Sequence, residues 1–191
     1  AAVRAAIDGD WAGVWAAAQQ GINAFSTYYR GLLSRLGTFT ATKPINSFGL
    51  LQNDGTFSNQ STITMNSGST FTNNGGFTNT ATGVLTTNNT ASNAGTFTNQ
   101  GVLNVNSGSI FTNSLTFTNA PTGRVINLFE IKNAAGTLTN NGAFENRVRF
   151  FANGGTTTNN GYWLNTGDAF VAAGATLANG GLFNQNEGNV Q

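Results

Sequence analysis

Asparagine returns at a fixed interval along most of this 191-residue chain. The unit is an apolar residue, any residue, then Asn. It occurs as Phe57-Ser-Asn59, Phe77-Thr-Asn79, Phe97-Thr-Asn99, Phe117-Thr-Asn119, Leu138-Thr-Asn140 and Leu177-Ala-Asn179, with Thr157-Thr-Asn159 filling the remaining place in weaker form. A second column runs Asn73, Asn93, Asn113, Asn133 and Asn153 at a constant step. A third and looser one runs Asn66, Thr86, Asn106, Asn127, Asn146, Asn165 and Asn186.

A period this short and this regular is the mark of a solenoid. Three short extended runs, each ending in a corner, make one triangular coil. Residues two apart in a strand share a face, so Phe and Asn of the triplet point inward and the middle Thr outward. The core column is Phe57, Phe77, Phe97, Phe117, Leu138 and Leu177. An inward Asn at a corner can satisfy backbone groups freed by the bend, and stacked coils would align these amides as ladders. Gly55, Gly75, Gly95, Gly136 and Gly155 are expected to supply positive φ at corners. The expected fold is mainly β: a three-sided parallel β-solenoid of about 20 residues per coil, with seven to eight coils over residues 38–191.

Residues 1–37 have a different pattern. Val3, Ile7, Trp11, Val14, Ala18, Ile22, Phe25, Tyr29, Leu32 and Leu36 follow one another at steps of three and four. That spacing is one stripe of an amphipathic helix. Such a segment either caps its own domain or packs on other subunits. The polar face carries too few cations for a membrane-surface helix.

Composition excludes several chemistries. The chain has no Cys and no His, so disulfides, thiolate or imidazole metal sites and histidine-assisted nucleophiles have no ligands or base. Eight Lys and Arg against seven Asp and Glu give a net charge of +1, too little to neutralise a nucleic-acid backbone. No apolar run reaches membrane-spanning length. The solenoid acids Asp54, Glu130, Glu145, Asp168 and Glu187 do not repeat at one or two coils, as a glycosidase pair across a cleft would suggest. The expectation is no enzyme activity and no cofactor. Arg124 and Glu145 are expected on adjacent coils as a surface ion pair, and Arg147 and Arg149 on a common face.

The runs Gly-Thr-Phe-Thr-Asn-Gln-Gly (95–101) and Gly-Thr-Leu-Thr-Asn-Asn-Gly (136–142) resemble repeats of bacterial exported β-solenoids, such as autotransporter and filamentous-haemagglutinin-like passengers. The resemblance covers residues 38–191 and implies a β-helical surface protein used in adhesion, matrix or filament building. The chain begins with Ala, which fits an exported protein whose leader has been removed, at the cell surface or outside the cell. Residues 180–191 still read as repeat, so the last coil is expected to be bare and to pair with a neighbour. Three functions follow as expectations. The first is a filament subunit polymerising head to tail with itself. The second rests on Thr96, Thr98, Thr116, Thr118, Thr137 and Thr139, whose Thr-x-Thr pairs resemble the ice-binding faces of some β-solenoid antifreeze proteins, although Thr also suits any exposed strand position. The third is an adhesin module binding a surface glycan through aromatic residues such as Tyr162 and Trp163.

Overall fold

The structure is a computed structural model that describes residues 27–29, 32–35 and 37–191. The chain winds as a parallel β-solenoid with three faces. The first face is a sheet of nine strands from Thr27–Tyr29 to Leu182–Gln185. The second has eight, from Leu32–Arg35 to Asp168–Val171, and the third has eight, from Thr38–Ala41 to Thr176–Asn179. Each strand pairs in parallel with its counterpart on the next coil, so the contacts that hold the fold join positions one full turn of the solenoid apart.

Most strands have four residues, and the second and fourth are buried. The alternation follows from the pleat, and apolar residues at the second position make the core. On the third face that column is Phe39, Phe57, Phe77, Phe97, Phe117, Leu138, Thr157 and Leu177. Its rings lie against one another, with centroids 5.2 Å apart for Phe57–Phe77, 4.8 Å for Phe77–Phe97 and 5.2 Å for Phe97–Phe117. Large and small residues compensate within a coil. Ala91 shares a coil with Phe97 and leaves room for Phe71 and Phe111, from the coils on either side, to approach that ring edge-on at 6.4 and 5.6 Å. Trp163 likewise shares a coil with Ala169 and stacks on Phe144 at 4.2 Å. Each such side chain contributes about 1.5–3 kcal/mol by leaving water.

Corner length alternates. Four-residue corners at 66–69 and 106–109 separate the first face from the second, and four-residue corners at 80–83 and 120–123 separate the third from the first. The intervening coils use two residues at the same edges. The first-face register therefore takes a long step and a short step in turn (Ile63↔Leu85, Leu85↔Leu103, Leu103↔Val125), while over these coils the second and third faces keep an even one. Residues 60–133 are thus a repeat of two coils, with Asn66-Ser-Gly-Ser69 returning as Asn106-Ser-Gly-Ser109.

Two expectations need correction. Thr27–Tyr29 and Leu32–Arg35 are strands, pairing with Ile45–Ser47 and Leu50–Asn53, so the solenoid begins before residue 38 and the helical stripe does not extend through Tyr29 and Leu32. The rest of the stripe (Val3, Ile7, Trp11, Val14, Ala18, Ile22, Phe25 and Leu36) lies outside the described residues. The second correction concerns glycine. Of Gly55, Gly75, Gly95, Gly136 and Gly155, only Gly155 has positive φ. The others serve close stacking of coils: a Cβ on Gly95 would stand 2.1 Å from the carbonyl oxygen of Gly75.

Candidate functional site

Three features set this solenoid apart from a plain stack of strands: internal amide ladders, a threonine face and a charged patch on the outer surface.

The ladder on the third face runs Asn59, Asn79, Asn99, Asn119, Asn140, Asn159 and Asn179. Each Nδ2 donates to the next Oδ1 at 2.7–2.8 Å. The same nitrogens also reach backbone carbonyls. Asn99 Nδ2 lies 3.1 Å from Gly101 O and 3.1 Å from Arg124 O, so two N–H groups are shared among three oxygens. These amides give a second donor to corner carbonyls that already accept a backbone N–H from the next coil, as Gly101 O does from Arg124 at 2.8 Å.

On the second face the ladder is Asn53, Asn73, Asn93, Asn113 and Asn133 at 2.7–2.8 Å. Asn53 is legible in the sequence, standing one period before Asn73. Asn153 does not belong to the ladder. The coil there is one residue short, Asn133 pairs with Ala152, and Asn153 turns out to solvent. A one-residue slip moves a side chain to the other face of a strand. Asn133 Nδ2 instead meets Thr157 Oγ1 at 3.1 Å.

The first face has an amide ladder only from Asn127 through Asn146 and Asn165 to Gln185, at 2.6, 2.5 and 2.7 Å. In the preceding coils Met65, Thr87 and Val105 hold that inward position. There the four-residue corners carry buried hydroxyls inward: Thr87 Oγ1 and Ser109 Oγ are 2.7 Å apart. Asn66, Thr86 and Asn106 lie one residue off the column and half-buried, and Asn186 is exposed.

The outer surface of the third face carries two rows in register. One is Thr56, Gly76, Thr96, Thr116, Thr137, Thr156 and Thr176. The other is Ser58, Thr78, Thr98, Thr118, Thr139, Thr158 and Ala178. Parallel pairing sets about 4.8 Å between members of a row and about 6.6 Å between rows. β-Branching restricts χ1, so the rows present hydroxyls and methyls at regular intervals.

The charged patch occupies the first and second faces over residues 124–149. Arg124 and Arg147 both bind Glu145, at 3.0 and 2.6 Å. Glu130, only 5% exposed, is held by Lys132 at 2.8 Å and Arg149 at 3.2 Å. Arg147 and Arg149 therefore do not act on one face: Arg147 turns at the corner toward the first face and Arg149 crosses the second. Arg149 also lies over the Phe129 ring, 5.0 Å from its centroid. Tyr162 is exposed beside this patch, whereas Trp163 is fully buried in the core and cannot touch a glycan. Among the described residues there is no cluster of His, Cys, Asp or Glu able to hold a metal ion, and no helix long and apolar enough to cross a membrane.

At the last coil the ladders run out. Asn179 Nδ2 donates only to Gly181 O, at 3.0 Å, and Leu177 and Phe183 are only half-covered. Thr176 and Gly180 donate their N–H groups to the preceding coil, so by alternation those of Leu177 and Asn179 point away from it.

No protein-family model, no curated protein and no solved structure matches this chain.

Proposed function

We propose that this chain is a structural subunit of an extracellular fibre that grows by stacking coil on coil, head to tail. The observation that carries the reading is the coil-on-coil pairing itself: three parallel sheets in which each coil meets the next through the same backbone bonds, amide ladders and apolar columns. A coil edge offering these groups is completed by another coil. A head-to-tail contact does not close on itself, so it yields fibres. The role is mechanical and not catalytic: Glu130 and Glu145 are each engaged by two cations. The likeness of residues 95–101 and 136–142 to exported solenoid repeats supports a place at the cell surface.

Sedimentation velocity across a concentration series tests this. The wild-type chain is expected to form species of increasing size. Leu177→Lys with Phe183→Lys, which sets two ammonium groups on the coil's open surface, is expected to remain monomeric with its strand content intact. A wild-type chain that stays monomeric at every concentration and salt level refutes the reading.

The threonine rows favour a second reading, an ice-binding face. Two rows in register along one sheet are what ordered water would need. Thermal hysteresis that disappears in Thr118→Tyr supports it, and a wild-type chain without hysteresis removes it.

A further inference from the structure

Past Lys43 the cations are Arg124, Lys132, Arg147 and Arg149, gathered in one short stretch of the chain. The register brings them onto adjoining coils. On the first face an outward column runs Val102, Arg124, Ala143, Tyr162 and Leu182. Ala143 is its smallest member and lies between two of the largest. Two strand spacings, about 9.6 Å, separate the backbones of Arg124 and Tyr162. The result is a surface notch of about 300 Å³ lined by Arg124, Ala143, Phe144, Glu145, Tyr162 and Leu164.

Arg124 and Glu145 line the notch together. The Arg124 guanidinium is held by Glu145 Oε2 at 3.0 Å, while Arg147 takes Oε1 at 2.6 Å. Glu145 thus neutralises one of the two arginines and positions both, leaving a net local charge of +1 (two Arg, one Glu). Arg124 remains 52% exposed along its side chain, with N–H donors to spare. Tyr162, 39% exposed, forms the opposite wall. An aromatic wall facing a pre-positioned guanidinium suits a flat-faced ring that carries a carboxylate: the ring lies on the tyrosine and the carboxylate takes charge-assisted bonds.

We propose that this notch is a subsite for the uronate ring of an acidic polysaccharide, with the pyranose on Tyr162 and its carboxylate on Arg124. The site is on the outer surface and does not depend on coil stacking.

Calorimetric titration with trigalacturonate, and with cellotriose as the neutral counterpart, tests it. The wild-type chain is expected to bind trigalacturonate at least about tenfold more tightly than cellotriose. Arg124→Gln should abolish that preference. Ala143→Leu fills the notch from outside the core and should abolish binding without lowering the melting temperature. Equal affinity for the two sugars, affinity retained in Ala143→Leu, or no binding of trigalacturonate overturns the proposal.

Discussion

Replacing Asn99 by Ala should destabilise the solenoid out of proportion to the atoms removed. Asn99 is fully buried. Its Nδ2 supplies Asn119 Oδ1 at 2.8 Å and the carbonyls of Gly101 and Arg124 at 3.1 Å each, and its Oδ1 accepts from Asn79 Nδ2 at 2.8 Å. Two N–H donors and one acceptor make three bonds, each with a net worth of about 0.5–1.5 kcal/mol. Alanine takes a donor from Asn119 Oδ1 and the Arg124 carbonyl and the acceptor from Asn79 Nδ2, all inside the corner, while Gly101 O keeps the Arg124 N–H at 2.8 Å. The expected cost is about 3 kcal/mol. At a urea slope of about 1–3 kcal/mol/M the midpoint falls by about 1–3 M with the slope unchanged. Asn179→Ala provides the internal standard. Asn179 is exposed, accepts from Asn159 at 2.7 Å and donates only to Gly181, so its loss should cost under about 1 kcal/mol. Urea unfolding followed by circular dichroism reads both. If Asn99→Ala costs no more than Asn179→Ala, the ladders are not what closes the corners.

Gly95→Ala should cost about 1–3 kcal/mol by the same measurement, because its Cβ would meet Gly75 O at 2.1 Å and the stacked coils would have to part. Phe97→Ala should cost about 3–5 kcal/mol, since that ring stands between Phe77 and Phe117 and meets Phe71 and Phe111 edge-on. Arg124→Ala should cost under about 1 kcal/mol, because the pair it forms with Glu145 is open to solvent and screened by salt.

The parts of this fold that were legible in the sequence share one physical property: they sit where coil length is constant. On the third face, and on the second as far as Asn133, apolar residues and amides recur at a nearly constant interval, and periodicity finds them. The first face was obscured because its strands slide to and fro as long corners alternate between its edges. Its inward column (Met65, Thr87, Val105, Asn127) has no fixed spacing and no single residue type. The return of Asn66-Ser-Gly-Ser69 as Asn106-Ser-Gly-Ser109, two coils later, was the available clue. Asn153 misled for the opposite reason: it kept the period where the coil had lost a residue. Glycine marks the corners in the sequence but not its role there, since sequence cannot distinguish a residue needed for positive φ from one needed for contact with the coil below. The notch at Ala143 was invisible because it is made by a small residue lying between larger neighbours one coil away on either side.

Electron microscopy of the purified chain tests the fibre account most directly. It predicts continuous filaments in which rungs repeat at about 4.8 Å through every joint between subunits. Separate particles of one size at all concentrations would contradict it.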